Sequence, residues 1–149
     1  MKLKELESNL QQLETFATPK LQYEQYITTP HLASRILFNI NQNYDDLNGK
    51  WICDLGIGTG MLSIASSFFE PDYILGIDID TDALSICQRN IDKFEIDFID
   101  LIQADLKQLL VKQENRDDFL NLFDRFDTVL MNPPFGTKNQ KISNDSTAS

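Results

Sequence analysis

Trp51-Ile52-Cys53-Asp54-Leu55-Gly56-Ile57-Gly58-Thr59-Gly60, followed by Met61-Leu62-Ser63-Ile64-Ala65, decides the fold. An apolar run enters a glycine-rich turn, and a helix starts after it. The run reads as a buried strand. The turn resembles the dinucleotide fingerprint, whose glycines let a ligand approach the backbone. Two details argue against a nicotinamide dinucleotide. The spacing is Gly-x-Gly-x-Gly, not Gly-x-Gly-x-x-Gly. Asp54 also stands just before the first glycine, where a carboxylate repels a pyrophosphate and attracts an ammonium. S-adenosylmethionine carries an ammonium and no phosphate, so it suits this turn better. A tight βα turn without a ligand is the plain alternative.

Downstream, Tyr73-Ile74-Leu75-Gly76-Ile77-Asp78-Ile79-Asp80 is a second apolar strand ending in acids. Asp78 lies at the ~20-residue offset expected for a carboxylate that takes the hydroxyls of a ribose. Asp80 and Asp82 equally suit N-caps for a helix over Ala83 to Phe94. A third strand, Ile96 to Ile102, leads to Gln103-Ala104-Asp105-Leu106. Asp105 can accept from an adenine's exocyclic amine, or be an ordinary loop carboxylate. Acids and a glycine turn at the C-terminal ends of successive strands converge on one crevice of an open parallel sheet.

The fourth strand, Thr128-Val129-Leu130-Met131, runs into Asn132-Pro133-Pro134-Phe135 and Gly136. Two prolines stop the strand and turn the chain. They leave a carboxamide, carbonyls without competing N–H donors and an aromatic face. That set can hold a planar amine through two acceptors and a stacking ring. Alone it also fits a plain turn.

The ordered set Asp54-x-Gly56-x-Gly58-x-Gly60, Asp78, Asp105 and Asn132 to Phe135 resembles a class I, S-adenosylmethionine-dependent amino-methyltransferase. A closer likeness covers Leu21 to Gln140. Tyr23-Glu24-Gln25-Tyr26-Ile27-Thr28-Thr29-Pro30-His31, Tyr44-Asp45-Asp46, Gly76 to Asp80, and Met131 to Asn139 resemble the methyltransferase-like protein 5 family. The resemblance implies methylation of the N6 amine of one adenosine in small-subunit ribosomal RNA. It implies S-adenosylmethionine as cofactor and a small zinc-binding activator subunit as partner, in the nucleus, nucleolus and cytoplasm. It assigns Gln25 and Thr28 to closing over the cofactor, and Gly56, Thr59 and Met61 to the turn contacts, beside Asp54, Gly58 and Gly60 of the same turn. Asp78 takes the ribose, Asp105 and Leu106 the adenine, and Asn132, Pro133, Pro134 and Phe135 form the catalytic loop. Thr28 or Thr29 also suits the N-cap of a helix over His31–Asn41, with Pro30 at its first position. Catalysis is expected to be positional. The Asn132 side-chain carbonyl and the Pro133 backbone carbonyl accept the amine's N–H bonds, and Phe135 stacks on the base. His31, the only histidine, reads as a helix-surface residue.

The fold class expected is α/β, and the resemblance implies a Rossmann-like class I methyltransferase sheet, with the first four parallel strands in the order 3-2-1-4 and flanking helices. The domains expected are an N-terminal helix over 1–20, an incomplete methyltransferase domain over 21–141 and a disordered tail over 142–149. The polar run after Gly136 reads as a C-terminally truncated form of the family, with the fourth strand an exposed edge. Leu3, Leu6, Leu10 and Leu13 stand at helical spacing, for a helix docked on the domain or bound to a partner, and Thr18-Pro19 ends it. Lys107 to Asp124 is a polar excursion.

The 149 residues, 42% apolar, suit one globular domain without a membrane span or secretion signal. Cys53 and Cys87 read as reduced core residues of an intracellular protein, and no Cys/His cluster has metal-ligand spacing. Thirteen basic against 23 acidic residues give −10, the wrong sign for gripping RNA by its phosphates. RNA contacts then fall to further sequence, a partner or a prefolded ribosomal substrate; Lys138 and Lys141 are the local basic spots. Two other readings remain: an amino-methylase of protein glutamine or DNA adenine, and a non-catalytic fragment that at most binds cofactor or activator.

Overall fold

The computed structural model describes residues 1–18, 20, 27–111, 121 and 123–133. Four short apolar runs form strands: β1 (Trp51–Leu55), β2 (Tyr73–Asp78), β3 (Ile99–Gln103) and β4 (Thr128–Met131). They make one sheet in the order β3-β2-β1-β4, with every pair parallel. This is the expected order. Parallel neighbours need crossover connections, and the chain supplies helices for them. These are α3 (Met61–Ser67), α4 (Thr81–Lys93) and α5 (Leu106–Val111), preceded by α1 (Leu3–Leu10) and α2 (Pro30–Tyr44).

Strand alternation sends side chains to two faces. Ile52, Ile74, Ile99 and Leu130 enter the larger core, where they meet Leu6, Leu10, Leu37, Ile64, Cys87 and Ile91 of the helices. Cys53, Leu75 and Ile77 face the other way, against Leu106, Phe123 and Phe126. The register sets Asp54 opposite both Gly76 and Leu130, so the strand ends lie side by side.

Several boundaries differ from the sequence reading, each for a local reason. Helix α4 begins at Thr81, because the Asp80 side chain accepts the Asp82 N–H as its N-cap. Asp80 therefore leaves β2, which stops at Asp78. Strand β3 begins at Ile99, because the preceding residues still close α4. The Ile96 N–H donates to the Ile91 carbonyl, and Glu95 adopts a left-handed φ of 54°. Helix α1 stops at Leu10, and residues 11–18 continue as a non-helical strap, although Leu13 stays buried. Between the two candidate threonine caps, Thr29 caps α2 by accepting from the Leu32 N–H, and Pro30 follows at the first turn.

Leu6 and Leu10 are fully buried, so α1 is docked on the domain. His31 is exposed on α2, with Nδ1 3.1 Å from Glu7 Oε1. Both cysteines are free and buried. Among the described residues, β4 pairs only with β1, and Val129 and Met131 are more than half exposed. No helix of the described residues is long and apolar enough to cross a membrane. The expected beginning of the domain at residue 21, its end at 141 and the tail over 142–149 lie outside the described residues.

Candidate functional site

The cleft opens at the carboxyl ends of β1 and β4. It is lined by Phe16, Ile27, Thr28, Asp54, Gly56, Ile57, Gly58, Thr59, Met61, Leu62 and Asn132, around about 410 Å³ of empty space that is partly open to solvent.

The glycine turn is built by backbone geometry that side chains resist. Gly56, Gly58 and Gly60 have φ of 80°, 58° and 93°. A Cβ on Gly60 would meet Cys87 Sγ at 2.7 Å, so both conformation and close packing require glycine there. The Gly56 and Ile57 N–H groups both donate to the Ile77 carbonyl, which bolts the turn to β2. Gly76 lets the Ile57 side chain lie directly against that strand, where a Cβ would collide with Ile57 Cδ1.

Asp78 is a structural clamp on the same turn. Its Oδ2 accepts the Gly58 N–H at 2.8 Å and its Oδ1 accepts the Asp80 N–H at 2.9 Å. Each carboxylate oxygen keeps a further lone pair. Asp54 is buried, and Ser63 Oγ donates to its Oδ2 at 2.6 Å. Burial is the main cause that pushes its carboxyl up to about 7; the Ser63 hydrogen bond opposes this, and the nearby Asp78 charge adds to it. A cation entering the cleft would offset that cost.

Asn132 follows β4, beside β1. Its Nδ2 donates to Thr28 Oγ1 at 2.9 Å, which joins the segment before α2 to the end of the last strand. Asp105 and Leu106 follow β3, two strands away from β1. The Asp105 carboxylate accepts the Lys107 N–H at the start of α5, and Leu106 packs in the smaller core.

The tertiary structure thus gathers Thr28, Asp54, Gly56, Gly58, Thr59, Met61 and Asn132 around one cleft. Gly60 and Asp78 shape the turn without lining it. Asp105 and Leu106 stand at the sheet's carboxyl edge, outside the lining. Pro133 is exposed. Gln25, Pro134 and Phe135 lie outside the described residues.

Sequence reasoning missed Phe16, Ile27, Ile57 and Leu62 in the lining. Phe16 carries no local signal, because it arrives from a distant segment. It also missed Asn90, whose Nδ2 donates to the Thr59 carbonyl inside the turn at 2.9 Å. That signal was present: Ala83, Cys87, Asn90 and Ile91 form the buried face of α4, and a lone carboxamide on such a face needs partners.

The family profile described as "Methyltransferase small domain" matches residues 30–147. The chain belongs to that family. It is 43% identical over 141 residues to the rRNA N(6)-adenosine-methyltransferase METTL5 of Danio rerio, covering 95% of this chain and 64% of that protein. It is 39% identical over 138 residues to the corresponding Mettl5 protein of Drosophila melanogaster, covering 93% and 61%. The fold is shared with a solved structure from Pyrococcus horikoshii, named as a candidate RNA methyltransferase, at a TM-score of 0.75 and 29% identity over 92% of this chain and 61% of that one. As a methyltransferase small domain, the chain therefore has a class I methyltransferase sheet, and it spans somewhat under two thirds of those relatives' length.

Proposed function

We propose that the cleft binds S-adenosylmethionine and that the protein transfers a methyl group to the N6 amine of an adenosine in small-subunit ribosomal RNA. The observation that carries this reading is the meeting of Asn132 with Asp54 and the glycine turn in one cleft. The residues present fit the cofactor. The lining holds a buried carboxylate and, among the described residues, no lysine or arginine, which suits an ammonium and opposes a pyrophosphate. When bound, the cofactor supplies an electrophilic sulfonium methyl.

The chain's own groups then position the nucleophile. An adenine amine is weakly nucleophilic because its lone pair is delocalised into the ring. The Asn132 carboxamide oxygen and the Pro133 carbonyl are acceptors for its two N–H bonds. Accepting both favours a tetrahedral nitrogen, and the same dipoles stabilise the positive charge that develops there. Asp54 takes the ammonium, Asp78 the ribose and Asp105 with Leu106 the adenine of the cofactor; Gln25 and Thr28 close over it, and Phe135 stacks on the base. The small zinc-binding activator belongs to the same reading. With a net charge of −10 the chain holds little attraction for phosphates, so RNA contacts come from the activator, from further sequence or from the folded ribosomal RNA. The compartments that go with this reading are the nucleus, nucleolus and cytoplasm.

Calorimetric titration with S-adenosylhomocysteine, with and without the activator, tests the cleft. Saturable micromolar binding that Asp78→Ala removes supports it. Methylation of small-subunit ribosomal RNA, compared with a glutamine peptide and with DNA, then separates the substrates. Methylation of either alternative, with ribosomal RNA untouched, would sink the RNA assignment.

A further inference from the structure

The strap 11–18 and Lys20 lie along α4 from its C-terminal to its N-terminal end. Lys93 Nζ donates to the Gln12 carbonyl at 2.6 Å. Arg89 forks onto the Glu14 carboxylate, at 3.0 Å from Nε and 2.6 Å from its terminal nitrogen. Lys20 Nζ reaches Asp80 Oδ1 at 2.7 Å and Asp82 Oδ2 at 2.6 Å, at the end of α4 that follows Asp78. Between these anchors Phe16 lines the cleft.

At the centre is Asn90, which is 1% exposed. Its Oδ1 accepts the Glu14 N–H at 2.8 Å, and its Nδ2 donates to the Glu14 carbonyl at 2.9 Å. The same Nδ2 donates to the Thr59 carbonyl at 2.9 Å. One carboxamide therefore grips the backbone of the strap and the backbone of the glycine turn, and both segments line the cleft, through Phe16 and Thr59. Burial makes the arrangement all-or-none: if the strap lifts, a donor and an acceptor of Asn90 lose their partners in an apolar site.

We propose that Phe16 is a cofactor-binding residue and that Asn90 is the positioning residue that couples docking of the strap to the shape of the glycine turn. Cofactor occupancy and strap docking then reinforce each other to the same extent in both directions. The inference rests on the cofactor reading above and adds a wall of the site that comes from outside the sheet.

The test uses the full 149-residue chain and S-adenosylhomocysteine. Exchange of the Glu14 amide, which donates to Asn90, is followed by NMR with and without ligand. Occupancy should slow it by about tenfold or more, although the amide itself is not in the lining. Phe16→Ala should weaken ligand binding by about three- to tenfold with an unchanged melting temperature. Asn90→Ala should weaken it at least as much and abolish the ligand's effect on Glu14. Arg89→Ala removes an anchor that is an exposed ion pair of small worth, so it should weaken binding much less than Asn90→Ala. Ligand binding with Glu14 exchange unchanged and Phe16→Ala at full affinity would overturn the inference and leave the cofactor reading intact, whether or not Asn90→Ala folds. Equal losses for Arg89→Ala and Asn90→Ala would overturn the assignment to Asn90. No binding by the unsubstituted chain, with a cooperative melt, would overturn the cofactor reading and the inference with it.

Discussion

Asn132 and Thr28, 104 residues apart, share a hydrogen bond of 2.9 Å in which the carboxamide Nδ2 donates to the threonine hydroxyl. The bond ties the carboxamide to the segment that precedes α2. In this arrangement the amide nitrogen is turned to Thr28 and Oδ1 is directed away from it. Thr28 is available for this because Thr29, not Thr28, caps α2.

On the proposed function, Asn132→Ala should lower methyl transfer by about 100-fold or more, since it would remove a preorganised dipole at the reacting nitrogen. S-adenosylhomocysteine affinity should stay within a few-fold. Thr28→Val keeps the shape and deletes the hydroxyl, so kcat should fall by about tenfold, and Thr28→Ser should restore it. Single-turnover kinetics on the protein with the proposed activator reads both. Full turnover by Asn132→Ala would end its catalytic role.

On the proposed function, Asp54 should make ligand binding depend on pH. Its carboxyl is pushed up to about 7, chiefly by burial, from 3.8 in the unfolded chain. The ionised form is the one that takes an ammonium, so S-adenosylhomocysteine affinity should rise as pH passes upward through about 7. Stability of the ligand-free chain moves the other way. Between pH 3.8 and about 7 the folded state holds a proton that the unfolded state has released, so this group's contribution falls as pH rises. Asp54→Asn should flatten both profiles, and titrations from pH 5.5 to 8.5 would detect either slope (a window of about 1.5 units each side of 7).

The two thiols should be inert in the folded state. Burial, with the Asp54 charge second, pushes both Cys53 and Cys87 up to about 12. Thiolate is the reactive form, so a maleimide should modify neither until the chain unfolds. Rapid labelling at neutral pH without loss of the fold would contradict this.

Gly60→Ala should destabilise the domain by about 2 kcal/mol or more, because the new methyl overlaps Cys87 Sγ and the backbone is left-handed. Gly49→Ala is the contrast. It shares a positive φ but meets nothing within 4 Å, so only the conformational cost of about 1 kcal/mol remains. Urea unfolding of the pair separates packing from backbone strain.

Leu6→Ala or Leu10→Ala should cost about 2–5 kcal/mol, since both side chains are fully buried in the larger core. A helix that served only a partner would leave the isolated chain's midpoint unchanged.

The strands and the glycine turn were legible in the sequence because they are local, whereas the strand order came with the family resemblance. Apolar runs of strand length, glycines with no tolerated substitute and acids at strand ends declare themselves within a few residues. The boundaries were less legible. Whether Asp80 ended β2 or capped α4, and whether Thr28 or Thr29 capped α2, depended on which side chain reached a free helix N–H, Asp80 to Asp82 and Thr29 to Leu32. Phe16 and Asn90 were not read as parts of the site at all, because each acts through a residue dozens of positions away.

By itself, the sequence determined the α/β class and the acids and glycines at the strand ends, while its family resemblance implied the order that the structure shows, β3-β2-β1-β4. Period, turn chemistry and spacing are properties of neighbouring residues, and each points to one answer. Only the tertiary structure decided which of those groups share a cleft. It set Thr28 against Asn132, left Asp105 outside the lining and brought Phe16 in along α4. Such contacts depend on where buried carboxamides such as Asn90 find partners, and that is settled only once the core has closed around them.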